Sequence, residues 1–584
     1  VALRRGVGFV FVFIGLAMLV SIAGITFMYL AVSGAPSVPS SATLVLRPGG
    51  ELQEVVPDDV VGQVFGREVD TVRGFVDNLR KARRDSRIKT VLLMPSGLQL
   101  PYWAKVQELR DAVIDFRKSG KRVVAFLEYG GDREYYLASA ADKVYLLPSS
   151  PLDLSGMASY EVFLRGAFDK IGAYPDFIHI GDYKSAANQL TEKGFTPAHR
   201  EMTESLNSDM YAQLVRGIAE SRKKSEPEVR ALLDQGPFVP EEALRVGLVD
   251  DLAYEDQLGE REPTVDEDEM NRVEGRNYLR ITPASVGFRP RSRIALVYAV
   301  GTIASGKSTF DPLNGTILGS ETLIEQIRDA REDDSIKAIV LRVDSPGGSA
   351  LASDVIWREL MITRDADDAR PLVVSMSDLA ASGGYYIAMA GHSIVAQPGT
   401  LTGSIGVFGG KIAIGGALNK IGVNNDAVVS GPNASIGSPF TPFTPSQRTK
   451  VQELMQNIYD DFVEKAAESR KTTPEKMDAV AQGRVWTGQQ ARERGLVDAL
   501  GGLDTAIAIA KERAKIPKDD DVEMVVYTGR RTLYEALSEQ LGGGAGLLSF
   551  ASRSDARAIG AVTAPIRLFK RGEPLTLLPF AFVR

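Results

Sequence analysis

Short apolar runs alternate along this chain with stretches whose apolar residues recur at helical spacing. "RIALVYAV" (293–300), "IKAIVLRV" (336–343) and "PLVVSMS" (371–377) have the near-continuous apolar character of strands buried on both faces. "ASDVIWRELMI" (352–362) carries its apolar residues at helical spacing, and "GGYYIAMAG" (383–391) opens another helix. Strand followed by helix, again and again, predicts an α/β fold.

One run differs in kind. "GVGFVFVFIGLAMLVSIAGITFMYLAV" (6–32) is 27 residues without a charge. A bilayer core takes about 20 apolar residues as helix, whereas the apolar core of a cleaved secretion signal is about 7–15 residues long. The run therefore predicts a single-pass membrane anchor. Arg4 and Arg5 precede it, which puts 1–5 in the cytoplasm and the rest of the chain on the extracytoplasmic, periplasmic side. A small-residue and proline linker follows at 33–42.

The pattern also repeats. "DNLRKARRDSRIKTVLL" (77–93) matches "EQIRDAREDDSIKAIVL" (325–341), and "EYYLASAADKVYLLP" (134–148) matches "GYYIAMAGHSIVAQP" (384–398). "KIGAYPDFIHIGDYKSA" (170–186) matches "KIGVNNDAVVSGPNASI" (420–436), and "EEALRVGLVDDL" (241–252) matches "QQARERGLVDAL" (489–500). A nearly constant offset over such a length marks a duplicated unit. The expected units are 43–258 and 291–517, joined by an acidic connector (259–290) and followed by a tail (518–584) that fits neither.

Composition narrows the chemistry. Among 584 residues the net charge is -7 and no basic stripe stands out, which argues against nucleic acid as a partner. There is no cysteine, so disulfides, thiolate catalysis and Cys-zinc sites are excluded, and no metal or cofactor is expected. "GTIASGKS" (301–308) satisfies the phosphate-loop pattern after a strand, but "TFDPLNGT" follows where a helix would have to begin. It reads as a surface loop, with no nucleotide.

"AASGGYY" (380–386) sets a serine among small residues where a helix starts, a place that suits a nucleophile. Ser382 needs a base. The three histidines serve poorly: His392 lies ten residues on, His179 in "DFIHIGD" reads as a satisfied structural residue, and His199 in "TPAHRE" as a surface residue at a helix start. A lysine acts as base only where burial brings its pKa, about 10.4 in water, towards neutrality. Lys184 in "GDYKSAAN" stands among small residues after an apolar run. In the repeat alignment Ser382 falls opposite Asp132 and Lys184 opposite Ala434, so each unit holds one half of a candidate pair. Drift in a structural repeat would give the same pattern.

The motifs "GDYKSA" (181–186), "DSPGGS" (344–349), "ASGGYY" (381–386), "LTGSIGV" (401–407) and "WTGQQARERGLVD" (486–498), in this order and spacing, resemble the long, duplicated form of the signal peptide peptidase A family of membrane-bound serine proteases. The resemblance covers about 43–515 and the anchor. It implies two tandem Clp protease/crotonase-like ββα-superhelix domains. It implies a Ser-Lys dyad, with Ser382 as nucleophile, Lys184 as general base and then acid, and Ser404 orienting the lysine. The oxyanion donors would be the N–H groups of Gly348 and Gly383. Extended apolar peptides, the remnants of signal peptides, would add as a strand beside Gly347, Ser349 and Ala350. The assembly implied is a homo-tetramer at the bilayer. Plainer readings exist: Gly347 and Gly348 as a tight turn, Ser404 as a helix cap, Asp344 and Ser345 as turn formers, Tyr385 and Tyr386 as packing. Two other functions fit the same fold, a catalytically silent membrane scaffold and a crotonase-like acyl-CoA enzyme.

Overall fold

A computed structural model describes residues 37–55, 70–266, 268–311, 315–366 and 369–527, together with the backbone of Leu575–Leu577 and Phe582–Val583 and four isolated helical positions between 15 and 24. The expected anchor at 6–32 otherwise lies outside the described residues. Among the described residues no helix is long and apolar enough to cross a membrane.

The chain is a mixed α/β protein built from two copies of one sheet. In the first half the strand order is Asp251–Leu252, Lys143–Leu146, Arg122–Leu127, Ile88–Leu93, Ala42–Leu46, Arg272–Glu274, every pairing parallel. The second half repeats it with Ala499–Leu500, Ser393–Ala396, Leu372–Ala381, Ile336–Ser345, Ser292–Val300, Val522–Tyr527. Parallel strands need crossovers, and helices supply them on the faces, so the central strands are covered on both sides. Ile336–Ser345 is accordingly buried at every position except Lys337 and Asp344. The sixth strand of each sheet lies past the units expected from sequence. Arg272–Glu274 comes from the stretch read as a connector and Val522–Tyr527 from the tail; their sequences, RVE and VEMVVY, share no pattern that would extend the repeat.

A third sheet locks the halves together. Tyr174–Ile180 of the first half pairs antiparallel with Val407–Ala413 of the second over seven residue pairs. Further along the same sheet run Leu575–Leu577, Gly347–Ser349, Thr302–Ala304, Gly315–Gly319 and Thr309–Asp311. The cores merge as well: Ala381, Leu401 and Val485 of the second half pack into the first half's core. The turn after Ile180 is thus delivered into the body of the opposite half.

Candidate active site

Ser382 stands where the strand Leu372–Ala381 breaks into the helix Gly383–Ala388. Its backbone has φ 57° and ψ -115°, a sparsely populated region for a residue with a side chain. Two bonds hold it there: the Ser382 N–H donates to the Gly403 carbonyl at 2.7 Å, and the Ser382 carbonyl accepts from the Tyr386 N–H at 2.9 Å. The small neighbours are a packing requirement, since a Cβ on Gly384 would lie 2.6 Å from the Ser345 carbonyl oxygen.

Lys184 arrives from the other half. The Tyr183 N–H donates to the Gln482 carbonyl at 2.9 Å, and a short 3₁₀ turn, Ser185–Ala187, follows. Its side chain is fully buried. Nζ lies 2.7 Å from Ser382 Oγ, 2.9 Å from the Ser404 carbonyl oxygen and 3.0 Å from Ser404 Oγ. Burial, with no carboxylate to offset it, pulls the Lys184 pKa well below that of an ordinary lysine. The three contacts match the valence of a neutral amine: two N–H donors for the oxygens of Ser404, one lone pair for the Ser382 hydroxyl proton. Ser404 is itself at φ 49°, and no helix begins there, so it is not a cap.

Other buried lysines show that burial alone does not make a base. Burial also acts on Lys105, but Asp344 (2.8 Å) and Asp378 overcome it and hold its pKa above the usual value. Lys81 is brought down to about 8 by burial, yet its Nζ donates to the carbonyls of Tyr278, Leu279 and Ile281, and so serves structure.

Glycines shape the cradle. Gly483 has φ 74°, and a Cβ there would meet Lys184 Cβ at 2.5 Å. Gly348, at φ 158°, would place a Cβ 1.9 Å from the Ile303 carbonyl oxygen. Gly347, Gly348 and Ser349 form a buried three-residue strand. Ser349 caps the helix Ala350–Asp365 by accepting from the Ala352 N–H, and Ala350 opens that helix. The N–H of Gly383 is the first of its helix.

A buried charge network that the sequence reading missed lies beneath the site. Arg342 donates two bonds to Glu54 (both 2.9 Å) and one to Glu108 (2.6 Å), both carboxylates coming from the first half. Burial would raise both carboxyls. The paired contact with Arg342 wins at Glu54 and holds it at about 2, whereas at Glu108, with a single bond, burial wins and the pKa is raised. Lys105 donates its backbone N–H to Asp378 Oδ1, and Asp344 Oδ1 accepts from the Leu379 N–H. The network therefore fixes both segments that precede the site, 344–349 and 378–382. One signal was available: a lone arginine inside the apolar strand "IKAIVLRV" requires a buried carboxylate.

None of the histidines pairs with Ser382. His199 is buried, not on the surface: its Nε2 lies 2.9 Å from Glu161 Oε1, and its ring packs against Phe163 and Phe195. A helix N-terminus can be covered by its surroundings, and here the loop that leads into it carries Phe195, while Phe163 comes from the segment before the helix Arg165–Ile171. His179 is the reverse, an exposed side chain whose Nδ1 lies 3.0 Å from the Gly181 carbonyl oxygen, because strand alternation points it outward. His392 accepts from the Leu372 N–H. Lys307 sits exposed in a bend, and the next helix starts only at Ser320.

The sequence profile of peptidase family S49 matches residues 115–264 and 364–517. A chloroplastic serine protease SPPA of Arabidopsis thaliana is 38% identical over 455 residues, covering 77% of this chain and 66% of its own length. Protease 4 of Salmonella typhi is 36% identical over 473 residues, covering 78% of this chain and 74% of its own. A shorter relative from Enterococcus faecium, a putative signal peptide peptidase SppA, is 33% identical over 212 residues, 36% of this chain and 60% of its own.

Proposed function

The chain belongs to peptidase family S49, and with it to the serine peptidases; on that premise we propose that it is a membrane-anchored endopeptidase whose Ser-Lys dyad is Ser382 and Lys184. One observation carries the reading: a fully buried lysine nitrogen 2.7 Å from the oxygen of a serine held at φ 57°. Neutral Lys184 takes the Ser382 hydroxyl proton as Oγ attacks the scissile carbonyl. The N–H groups of Gly348 and Gly383 receive the oxyanion, and the removal of one such donor typically costs about 10²–10³ in rate. The Lys184 ammonium then gives its proton to the leaving amine. Water attacks the acyl-enzyme next, with Lys184 again as base and Ser382 as the leaving group. Ser404 orients the amine through its two oxygens.

The substrates we propose are extended apolar peptides, remnants of signal peptides, read through main-chain pairing at 347–349. The name of the Enterococcus relative supports this class. The duplicated Clp protease/crotonase-like topology, the anchor at 6–32 and an extracytoplasmic site complete the reading. A homo-tetramer belongs to it too. Residues 424–430, the repeat counterpart of Tyr174–Ile180, form no strand and are exposed, with Val428 and Val429 on the surface. Their counterpart pairing would be with the first half of another copy, a head-to-tail contact that closes into a ring.

The test compares turnover of an apolar fluorogenic peptide by the parent and by Lys184→Ala, with melts to show that both are folded. Near-complete loss in the folded variant is expected; parental turnover would return Lys184 to a structural role. The parent's rate should rise with pH through the lowered Lys184 pKa, since only the neutral amine accepts the proton. Failure of a serine-directed phosphonate to label Ser382 would favour the silent scaffold, and acyl-CoA binding would favour the crotonase-like alternative.

A further inference from the structure

The strand that leads to Ser382 falls out of step with its neighbour just before the site. Ile336–Ser345 and Leu372–Ala381 keep one register from Ile339 opposite Leu372 to Val343 opposite Met376, and the next pair is Ser345 opposite Ala380. One residue, Asp344, therefore faces three: Ser377, Asp378 and Leu379. A bulge of this kind re-aims the chain and disrupts the ladder locally. Here side chains hold it. The Leu379 N–H donates to Asp344 Oδ1 at 3.1 Å, Asp378 Oδ1 accepts from the Lys105 N–H at 3.0 Å, and Ser377 donates its hydroxyl to Glu54 Oε1. Lys105 Nζ then joins the two strands, 2.8 Å from Asp344 Oδ2 and 3.7 Å from Asp378 Oδ2. Glu54 and Lys105 both belong to the first half. Lys105 is rigidly mounted, as the second residue of the helix Ala104–Arg117, whose Val106, Leu109 and Val113 lie in the core. The first half's own pair, Ile88–Leu93 with Arg122–Leu127, shows no shift over its four matched positions.

Both strands run from this cluster into the chemistry. Ser382 lies three residues beyond Leu379, and Gly348 four beyond Asp344. The backbone at Ser382, with φ 57°, is of a kind that persists only where its surroundings over-determine it. We propose that Lys105 is a positioning residue for the reaction: through Asp344 and Asp378 it sets the distance between the serine and the Gly348 N–H, without touching substrate. That role rests on the peptidase reading above. It makes the exchange between the halves double, since the first half then supplies both the base, Lys184, and the alignment of the nucleophile it serves. A misplacement of about 1 Å that starts away from the reacting atoms costs about 10² in rate, which sets the size of the effect to look for.

The test measures kcat and KM of the full chain for an apolar fluorogenic peptide, with melts alongside. Lys105→Met keeps most of the side chain's length and removes its charge. It should lower kcat by about 10²-fold and leave KM within about threefold, because the groups it misaligns meet only in the transition state. Asp344→Ala cuts the same link and leaves Lys105 its second partner, Asp378, so it strands no buried carboxylate. It should give a similar loss, and the double variant should lose no more than either alone, as members of one unit do. Lys81→Met controls for lost stability: that buried lysine is bonded to carbonyls far from the bulge, so its loss should lower the melting temperature and keep parental kcat. Parental kcat in folded Lys105→Met overturns the proposal, and so does parental kcat in Asp344→Ala should Lys105→Met not fold. Additive losses in the double variant, or an equal fall in kcat with Lys81→Met, overturn it too. A parent chain with no turnover sinks the peptidase reading instead, and the positioning role with it.

Discussion

The two halves keep the same scaffold bonds and differ at the proposed dyad. Tyr135 donates its hydroxyl to the Leu248 carbonyl at 2.6 Å, and Tyr385 does the same to Leu496 at 3.1 Å. Arg222 pairs with Asp250, which also accepts from the Val144 N–H; Arg470 pairs with Asp498, which accepts from the Ile394 N–H. Even a changed residue keeps its bond: Asp142 accepts from the Val123 N–H, and His392, its counterpart, accepts from Leu372. At the helix start the copies part. The first half has Asp132 there, its carboxylate accepting from the Gly156 N–H and its pKa lifted by burial to about 6, with Gly131 before it at an ordinary φ of -87°. The second half has Ser382 at φ 57°. If the proposed dyad holds, the lesson is that a duplicated fold can let each copy lose half of a site, provided one connection carries the surviving half across.

The largest expected effect tests that division. Ser382→Ala should lower kcat/KM by about 10⁴-fold or more, as loss of a nucleophile does, while Asp132→Ala, its counterpart, should leave KM and kcat within about twofold. A large loss with Asp132→Ala, read by the same peptide assay, would mean that the halves share the chemistry more evenly than the geometry says.

Next comes the joint between the halves. Arg342→Ala strands two buried carboxylates and should cost about 3–5 kcal/mol in denaturant unfolding. A pH signature accompanies it. Glu54 is held at about 2, below the 4.5 of a free glutamate, so it contributes stability that is present above about pH 4.5 and is lost as pH falls towards 2. Glu54→Gln should flatten that acid limb of the melting curve; an unchanged limb would assign the acid sensitivity elsewhere.

Gly483→Ala should cost about 1–3 kcal/mol through its positive φ and the contact with Lys184, and should lower kcat more than it raises KM. A variant of parental kcat would show that the lysine tolerates displacement. The smallest effect makes the comparison sharpest: Tyr135→Phe and Tyr385→Phe should each cost about 1 kcal/mol, alike within error, with peptide turnover unaffected in either case. Unequal losses would mean that the repeated bond does unequal work in the two halves.

Much of this was legible in the sequence for a physical reason. Buried parallel strands must be apolar throughout, so "IKAIVLRV" and its fellows announce themselves, and the fixed offset revealed the duplication. Ser382 and Lys184 stood out because each departs from its partner copy. What stayed hidden was long-range or weakly patterned. The bond from Arg342 to Glu54 spans 288 residues, and nothing local marks either carboxylate as its partner. Gly483 looks like any turn glycine until Lys184 is seen against it. His199 was misjudged because local context does not fix exposure: neighbouring segments cover it. The pairing of 575–577 leaves no mark at all, since main-chain bonds carry no sequence signature.

On the proposed dyad, the distance in sequence between base and nucleophile also orders events in time. Lys184 and Ser382 are 198 positions apart, which at ribosomal speed separates their emergence by about 10–40 seconds. Throughout that interval the growing chain carries a lysine with no hydroxyl to activate. On that reading the serine stays inert even then, until Tyr174–Ile180 pairs with Val407–Ala413 and the amine is drawn out of water. On that reading proteolytic competence is an AND gate, switched on by completed tertiary assembly, and a translation product truncated before Ser382 is a harmless one.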